Sequence, residues 1–224
     1  MPKRVERPSV REGYDLWSSS YDATANPVVA LDRRVTLPAL DPRPAEWILD
    51  AGCGTGAHLR RMHQAGATAV GVDFSRGMLA VAKRSMPRPL LVQADLNEEL
   101  PVKRRAFDAV VSALVSEHLT NLRTFFAEAF AVLRPGGRLV FSAFHPEPAR
   151  AGVEANFTED ATEYRLGAEP YTAEEYLERI ADAGFAQVRS QDFVADTELA
   201  EEVPEVAKHL GTPLLMLVEA TRPG

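Results

Sequence analysis

Apolar residues follow two repeating patterns along the chain, and these patterns predict an alternation of strands and helices. Short, nearly continuous apolar runs indicate strands that are buried on both faces of a sheet. Segments with apolar residues three and four positions apart indicate helices. The runs that predict strands lie at 47–49, 68–72, 90–94, 107–114, 138–144, 186–194 and 213–220. This alternation predicts an α/β domain built on a mostly parallel sheet.

Helix-start residues precede several of the predicted helices. Thr55, Ser75 and either Thr120 or Asn121 stand where a helical pattern begins, and their side chains can accept hydrogen bonds from its first amides. Farther along the chain, the segment 172–175 has the sequence of a capping box. These signals predict where the helices between the strands begin.

Three glycines at alternate positions follow the first predicted strand, in the sequence ILDAGCGTGAHL at 48–59. Gly52, Gly54 and Gly56 permit positive φ angles and leave no Cβ between the backbone and a ligand. A strand, a glycine turn and the start of a helix together form a typical docking site for a nucleotide-like ligand. The turn is therefore the first candidate for a functional site.

Asp50 distinguishes between two classes of ligand for this turn. Gly52, Gly54 and Ala57 fit the dinucleotide fingerprint, so a nicotinamide or flavin cofactor is one alternative. A carboxylate two residues before the first glycine would repel the pyrophosphate of such a cofactor. S-adenosylmethionine (SAM) has no phosphate, and it carries an ammonium and a sulfonium that a carboxylate attracts. Asp50 therefore favours SAM.

The segment DAGCGTG at 50–56 resembles the first motif of the class I SAM-dependent methyltransferases, in which an acid precedes glycines at alternate positions. The resemblance extends from Trp47 to about Phe144 and includes the segment LRPGG. It implies a Rossmann-like three-layer sandwich with a seven-stranded, mostly parallel sheet whose last strand is antiparallel. It also implies SAM as the cofactor and transfer of its methyl group to an acceptor by in-line displacement.

Acids at the ends of the next two predicted strands extend the expected cofactor site. Asp73 lies about 20 residues beyond the first glycine, where this architecture places the acid that binds the ribose hydroxyls. In the resembling family, an acid at the position of Asp95 contacts the adenine amino group, and the next amide, that of Leu96, contacts the ring. We also assign Phe74 and Ala113 to this site. The alternatives are that Asp73 only begins a turn and that Asp95 only ends a strand.

The aromatic residues Tyr14, Trp17 and Tyr21 lie three and four positions apart and would share one helical face. Their segment resembles the YDxWAxxYD opening of many small-molecule methyltransferases, with Ser18 in place of the alanine. The resemblance implies that residues 1–40 include a cap over the cofactor, which Tyr14 and Tyr21 would contact. The alternative is an aromatic stripe that only packs onto the domain.

Two segments lack a periodic pattern. The charged, proline-bearing residues before about Val10 are expected to be unstructured. Residues 145–170 are long for a plain connection, so we expect a lid that contacts the substrate. His145, after the fifth predicted strand, is our candidate for a general base, and a simple turn is the alternative. His118 follows Glu117 in a segment that resembles a Glu-His pair of the family, and we interpret it as structural or cofactor-side.

The expected acceptor is a small organic molecule with a hydroxyl, an amine or an activated carbon. Methyltransferases that act on amide or base amino groups usually carry an Asn/Asp-Pro-Pro-aromatic motif after the fourth strand, whereas this chain has ALVS at 113–116. This departure disfavours DNA and glutamine as acceptors. Two alternatives stay open: an NAD(P)-dependent oxidoreductase, and a SAM-binding protein without catalysis.

Composition and charge limit the domain count, the partners and the cellular location that we expect for the protein. The 224 residues suit a single domain, and the net charge of -7 argues against nucleic acid as a partner. Because Cys53 is the only cysteine, no intrachain disulfide can form, and the cytoplasm is the expected location. No apolar run is long enough to span a membrane, and the first residues lack the apolar core of a signal peptide. We expect a monomer or homodimer without a metal site.

Overall fold

The computed structural model describes residues 4–224, and their largest feature is a seven-stranded sheet. The strands in chain order are β1 (Arg4–Glu6), β2 (Trp47–Ala51), β3 (Thr68–Asp73), β4 (Leu90–Gln93), β5 (Phe107–Ala113), β6 (Leu133–Phe144), β7 (Asn156–Glu159), β8 (Thr162–Arg165), β9 (Ala186–Val194) and β10 (Pro213–Thr221). The α-helices are α1 (Val10–Trp17), α2 (Pro27–Leu40), α3 (Ala57–Gln64), α4 (Arg76–Ser85), α5 (Leu122–Val132), α6 (Pro146–Arg150), α7 (Ala173–Asp182) and α8 (Thr197–Glu202). Short 3-10 helices lie at Tyr21–Ala23, Ser116–His118 and Pro204–His209.

The strand order of the large sheet is β4-β3-β2-β5-β6-β10-β9. The pairs from β4 to β6 are parallel, whereas β10 is antiparallel to both β6 and β9. The direction in which the chain adds strands reverses between β2 and β5, so the carboxyl ends of these strands flank a crevice. This topology confirms the predicted sheet with an antiparallel last strand.

Neighbouring residues of β2 lie in separate apolar cores on the two faces of the sheet. Leu49 belongs to a core that includes Phe125 and Phe126 of α5 and Ile180 of α7. Ile48 belongs to the opposite core, which contains apolar residues of α2, α3 and α4. Because both faces of the strand are covered, its apolar run is continuous instead of alternating. The two helical layers and the sheet form the predicted three-layer sandwich.

The two segments that lack a periodic pattern form a second, three-stranded sheet. Strand β1 pairs in parallel with β8, and β7 pairs with β8 as a hairpin. The prediction of an unstructured N-terminus is therefore wrong for Arg4–Glu6. The hairpin loop consists of Asp160 and Ala161, with left-handed φ angles of 47° and 63°. Tight hairpins of this kind are usually signalled by Asn-Gly or Asp-Gly, and Asp-Ala lacks that signal.

Most of the predicted helix caps are present. Ser75 and Asn121 cap α4 and α5, and Thr172 forms a capping box with Glu175 at the start of α7. In the part of the chain that the structure describes, no helix is long and apolar enough to cross a membrane.

The predicted cap of α3 is wrong. The residue before this helix is Gly56, in a left-handed conformation, and it makes no side-chain cap. Instead, the hydroxyl of Thr55 donates to Asp22 Oδ1 at 3.0 Å, in the 3-10 helix that follows α1. The hydroxyl therefore connects the glycine turn to the N-terminal segment.

Candidate functional site

A cleft of about 620 Å³ lies at the carboxyl ends of β2, β3 and β5, and we call it the inner cleft. Nine of the residues that the sequence assigns to a site line it together. They are Tyr14, Tyr21, Gly52, Gly54, Asp73, Phe74, Asp95, Leu96 and Ala113. Parallel strands bring their carboxyl ends to one edge of a sheet, which explains why residues distant in sequence meet there.

The three glycines of the turn have different surroundings, although all have positive φ angles. A Cβ on Gly54 would meet nothing within 4 Å, so its backbone borders open space that a ligand can enter. A Cβ on Gly52 would lie 2.2 Å from Val115 Cγ2. A Cβ on Gly56 would lie 2.9 Å from Met86 Cε, so this glycine allows α3 to pack near α4. Gly54 thus borders space that is open to a ligand, whereas the other two glycines make room for protein side chains.

Asp73 is held by backbone amides on the wall of the inner cleft. Gly54 N donates to its Oδ2 at 2.9 Å, and Ser75 N donates to its Oδ1 at 2.8 Å. Burial raises the pKa of Asp73, and the hydrogen bonds from these amides oppose the rise. A carboxylate has about four acceptor positions, so both oxygens keep capacity for ligand hydroxyls. The amides fix the side chain without consuming that capacity.

Asp95 is connected to the start of α5 through Asn97, a residue that the sequence interpretation missed. The backbone and side-chain nitrogens of Asn97 both donate to Asp95 Oδ1 at 2.9 Å. Asn97 Oδ1 accepts from Thr120 N at 2.8 Å and Asn121 N at 3.0 Å. Asn97 also lines the inner cleft. It therefore positions Asp95 by joining two neighbouring loops.

Asp50 is buried at the end of β2 and carries an unsatisfied acceptor. Its side chain lies beside a second cleft, which Gly54 and His58 also line. Among the described residues, no hydrogen-bond partner contacts its Oδ2. Burial raises the pKa of Asp50 to about 7, although the charge of His58 acts in the opposite direction. A buried acceptor without a partner is costly, so this position suits a cationic hydrogen-bond donor.

A buried pair next to Asp50 was not predicted from the sequence. Asp32 lies in α2 and His58 lies in α3, and the distance from Asp32 Oδ2 to His58 Nε2 is 3.2 Å. Its Oδ1 accepts hydroxyl hydrogen bonds from Thr36 at 2.5 Å and Ser142 at 2.6 Å. Burial lowers the pKa of His58, but the hydrogen bond and charge of Asp32 outweigh it, so the net shift is upward. A protonated His58 at this place can face an anionic ligand group.

Tyr14 joins the N-terminal segment to the loop after β5. Its hydroxyl lies 3.0 Å from His118 Nε2, and the two rings meet edge to face. Burial lowers the pKa of His118, which favours the neutral imidazole. Asp15, the next residue of α1, accepts from Ser75 Oγ at 2.6 Å and from Gly77 N at 2.8 Å. These contacts fasten α1 beside the inner cleft, which Tyr14 lines.

An open groove of about 1310 Å³ adjoins the inner cleft. Most of its walls come from the N-terminal segment, from the loop after β5, and from the segment 145–170, which is the predicted lid and is called the lid below. Trp17 stacks on Phe157 with ring centroids 4.9 Å apart, which joins the first two walls. Leu114 lines the groove and both other clefts, with a left-handed φ of 54° that is unusual for a branched residue. No sequence signal marked Leu114.

His145 lies where β6 ends, but the described residues that line the three clefts do not include it. Its Nδ1 accepts from Glu147 N at 3.3 Å as the cap of α6, and its Nε2 lies 3.5 Å from Asp192 Oδ1. Both ring nitrogens therefore face groups of the protein. The role of His145 as a base stays a prediction, which this geometry disfavours.

Comparisons with known proteins agree with the geometry. Residues 49–141 match a family model described as a methyltransferase domain. A demethylmenaquinone methyltransferase of Streptomyces avermitilis is 36% identical over 166 residues, which are 71% of this chain and 68% of the relative. One of Tropheryma whipplei is 33% identical over 143 residues, 61% of this chain, and the match spans only 60% of that relative. A crystal structure of a SAM-dependent methyltransferase from Mesorhizobium loti is 26% identical, with a TM-score of 0.69 over 87% of this chain and 98% of that one.

Proposed function

The chain belongs to the class I SAM-dependent methyltransferase family, and from this premise we propose that it transfers a methyl group from SAM to a small organic molecule. The observation that carries the proposal is the buried Oδ2 of Asp50, which has no partner among the described residues. The ammonium of SAM supplies the donor that this oxygen lacks. The pyrophosphate of NAD(P) would instead meet repulsion there, which disfavours an oxidoreductase.

The residues of the inner cleft fit the remaining parts of SAM. Asp73 accepts from the ribose hydroxyls, next to the open space at Gly54. Asp95 and the amide of Leu96 would hold the adenine, and Phe74 and Ala113, which also line the cleft, would border the nucleoside. Asp50 and His58 line the same second cleft, where Asp50 would hold the ammonium of SAM and His58 its methionine carboxylate.

SAM supplies a methyl group on a good leaving group, so the protein has little covalent chemistry to perform. Its contribution is to hold the acceptor in line with the methyl group and to exclude water, and positioning of this kind can account for most of the acceleration. Tyr14 and Tyr21 suit this task, because they line both the inner cleft and the groove. A groove that adjoins the cofactor site also favours an enzyme over a SAM-binding protein without catalysis.

The same proposal includes a cytoplasmic single domain, as a monomer or homodimer, that does not act on nucleic acid. The net charge of -7 supports the last point, since nucleic-acid binding requires a positive face. The Tropheryma whipplei and Streptomyces avermitilis relatives are named for a small-molecule acceptor, demethylmenaquinone. A small molecule is therefore the acceptor class that we propose here.

Calorimetry with SAM, S-adenosylhomocysteine and NAD tests the cofactor. We expect binding of the first two and none of NAD, with SAM binding weakened in Asp50→Asn. Binding of NAD without any response to SAM would end the proposal. Catalysis is tested by adding the protein and SAM with a labelled methyl group to a small-molecule extract of the source organism, and identifying the labelled product. SAM binding without any labelled product would leave a non-catalytic SAM-binding protein.

A further inference from the structure

Within the part of the chain that the structure describes, the residues that line the groove beside the inner cleft include acidic side chains and no basic ones. Among the described residues that line it, none is Lys, Arg or His, and three are glutamates: Glu117, Glu154 and Glu205. The aromatic residues of its walls are Tyr14, Trp17, Tyr21, Phe144 and Phe157. The described lining of this groove therefore offers no cationic side chain to a phosphate or carboxylate group of an acceptor.

Only one of the three glutamates has a buried carboxylate oxygen without a hydrogen-bond partner among the described residues. Glu154 forms a bidentate pair with Arg7, at 2.8 and 2.9 Å, and accepts from Gly167 N at 2.8 Å. Glu205 is exposed. Glu117 has a buried Oε2 that no hydrogen-bond donor contacts in the described part of the chain. An unsatisfied buried carboxylate oxygen is costly. A ligand that brings a hydrogen-bond donor to Glu117 would remove this cost.

Tyr14 and Tyr21 line the groove together with Glu117. After burial, the charge of Glu117 is the largest influence that raises the pKa of Tyr21. It also contributes, after burial and Tyr21, to the raised pKa of Tyr14. The field of Glu117 therefore reaches both rings that line the inner cleft and the groove. A carboxylate with neighbouring aromatic faces is a favourable environment for an organic cation.

We propose that the methyl acceptor is an amine, which binds in the groove as its ammonium with Glu117 as the partner of the charged nitrogen. This inference rests on the proposed function and names its acceptor class. Glu117 lies in the loop after β5, where the groove adjoins the inner cleft, so it belongs to the wall nearest the cofactor site. The rings of Tyr14 and Tyr21 attract the same cation and cover its carbon chain.

The chemistry requires one proton and one electron pair to move. The ammonium first gives a proton to the carboxylate of Glu117, which leaves a lone pair on nitrogen. That lone pair forms the new nitrogen–carbon bond as the carbon–sulfur bond breaks, and the electron pair of the broken bond stays on sulfur. The products are the methylated ammonium and S-adenosylhomocysteine, and the proton passes from Glu117 to water.

Three probes that differ mainly in one polar group test the charge preference: 2-phenylethylamine, 2-phenylethanol and phenylacetate. Calorimetry with the protein saturated by S-adenosylhomocysteine measures the affinity for each. We expect the amine to bind at least about tenfold more tightly than the alcohol, and the acid to bind least. No preference for the amine, including no binding by any of the three, would overturn the assignment.

Glu117→Gln keeps the size of the side chain and removes its charge. We expect this variant to lose about tenfold in affinity for the amine and to bind the alcohol as before. Glu201→Gln is the matched control, because it removes an exposed carboxylate of α8 that does not line the groove. Equal loss of amine binding in both variants would show a general charge effect and contradict the role of Glu117.

SAM binding and methyl transfer to each probe separate the two proposals. SAM binding with transfer to the alcohol but not to the amine would overturn the amine acceptor and leave the methyltransferase intact. Absence of SAM binding would overturn the proposed function, while the amine preference could still be measured on the unliganded protein.

Discussion

The inner cleft and the groove differ in how the chain builds them. The inner cleft comes from the strand ends of one sheet, where Asp73 ends β3 and Asp95 follows β4. The groove is assembled from the N-terminal segment, the loop after β5 and the lid, which are distant in sequence. A local motif can therefore specify the cofactor side, whereas the acceptor side exists only once three segments have met.

The two regions also differ in what holds them. Backbone amides of the sheet edge fix Asp73, and Asn97 fixes Asp95. In contrast, the lid is joined to the N-terminal segment by β1, by the stack of Trp17 on Phe157 and by the exposed pair of Arg7 with Glu154. Regions with fewer buried contacts open more readily. We expect the groove to open more readily than the inner cleft.

Asp73→Ala should give the largest of the expected effects, a loss of SAM affinity. We expect this effect to be limited to the inner cleft. The variant loses two charged hydrogen bonds to the ribose, each worth about 1.5 to 3 kcal/mol, so SAM affinity should fall a hundredfold or more. Calorimetry measures the loss, with Asp182→Ala on the exposed face of α7 as the control. Unchanged affinity in a folded variant would make Asp73 a turn residue only.

Phe157→Ala should damage the groove and spare the inner cleft. Phe157 is buried between the rings of Trp17 and Tyr164, and loss of such a ring costs about 3 kcal/mol or more. Hydrogen exchange should therefore accelerate in β7 and β8, while SAM affinity changes by less than about threefold. The exposed Leu16→Ala on α1 is the control. A loss of SAM affinity as large as that of Asp73→Ala would contradict the separation of the two regions.

Asp50 should make the affinity for SAM depend on pH. The affinity of the groove for the alcohol probe should show no such dependence, which sharpens the comparison of the two regions. Burial raises its pKa from 3.8 to about 7, and a bound ammonium favours the ionised form. Binding should therefore release a proton, and affinity should rise about eightfold from pH 6 to 7.5.

Stability of the unliganded protein should change in the opposite direction. The native state binds more protons between pH 3.8 and about 7, so its free energy of unfolding falls as pH rises through that range.

Calorimetry at each pH, in buffers of different ionisation enthalpy, counts the released protons. Asp50→Asn removes the titrating group and should flatten the affinity profile. An unchanged profile in this variant would assign the proton to another group, of which His58 is the nearest candidate.

His145→Ala should give the smallest effect. Its ring caps α6 outside the described lining of the groove, so we expect turnover to fall less than about threefold and stability to fall by about 0.5 to 1 kcal/mol. A general base would instead contribute about 10² to 10⁴ in rate. A rate loss of that size, together with loss of an inflection near the pKa of histidine, would restore His145 as a base.

The sequence predicts most of the sheet because its signals are local. The apolar run at Ile48 and Leu49, the glycine turn and the cap at Ser75 each act within one turn or strand, and each is present. The fold and the inner cleft follow from such signals repeated along the chain. Thr55 shows their limit, because its hydroxyl contacts Asp22 instead of capping α3.

The parts that the sequence does not predict depend on tertiary contacts. Strand β1 has three residues and no period of its own, and its pairing partner lies in the lid. The pair of Asp32 and His58 joins two helices, and neither residue belongs to a motif. Leu114 adopts a left-handed conformation for which a leucine gives no signal. Each is determined by its neighbours in space, so a pattern along the chain cannot reveal it.

Tyr14, Tyr21 and Leu114 form one wall with two sides, because they line both the inner cleft and the groove. A ligand on either side that orders these side chains prepares the wall for the other ligand. The two affinities are then thermodynamically linked, and linkage is reciprocal: the factor by which cofactor tightens acceptor binding equals the factor by which acceptor tightens cofactor binding. Since these three side chains border both sites, we expect the two substrates to act as heterotropic effectors of each other.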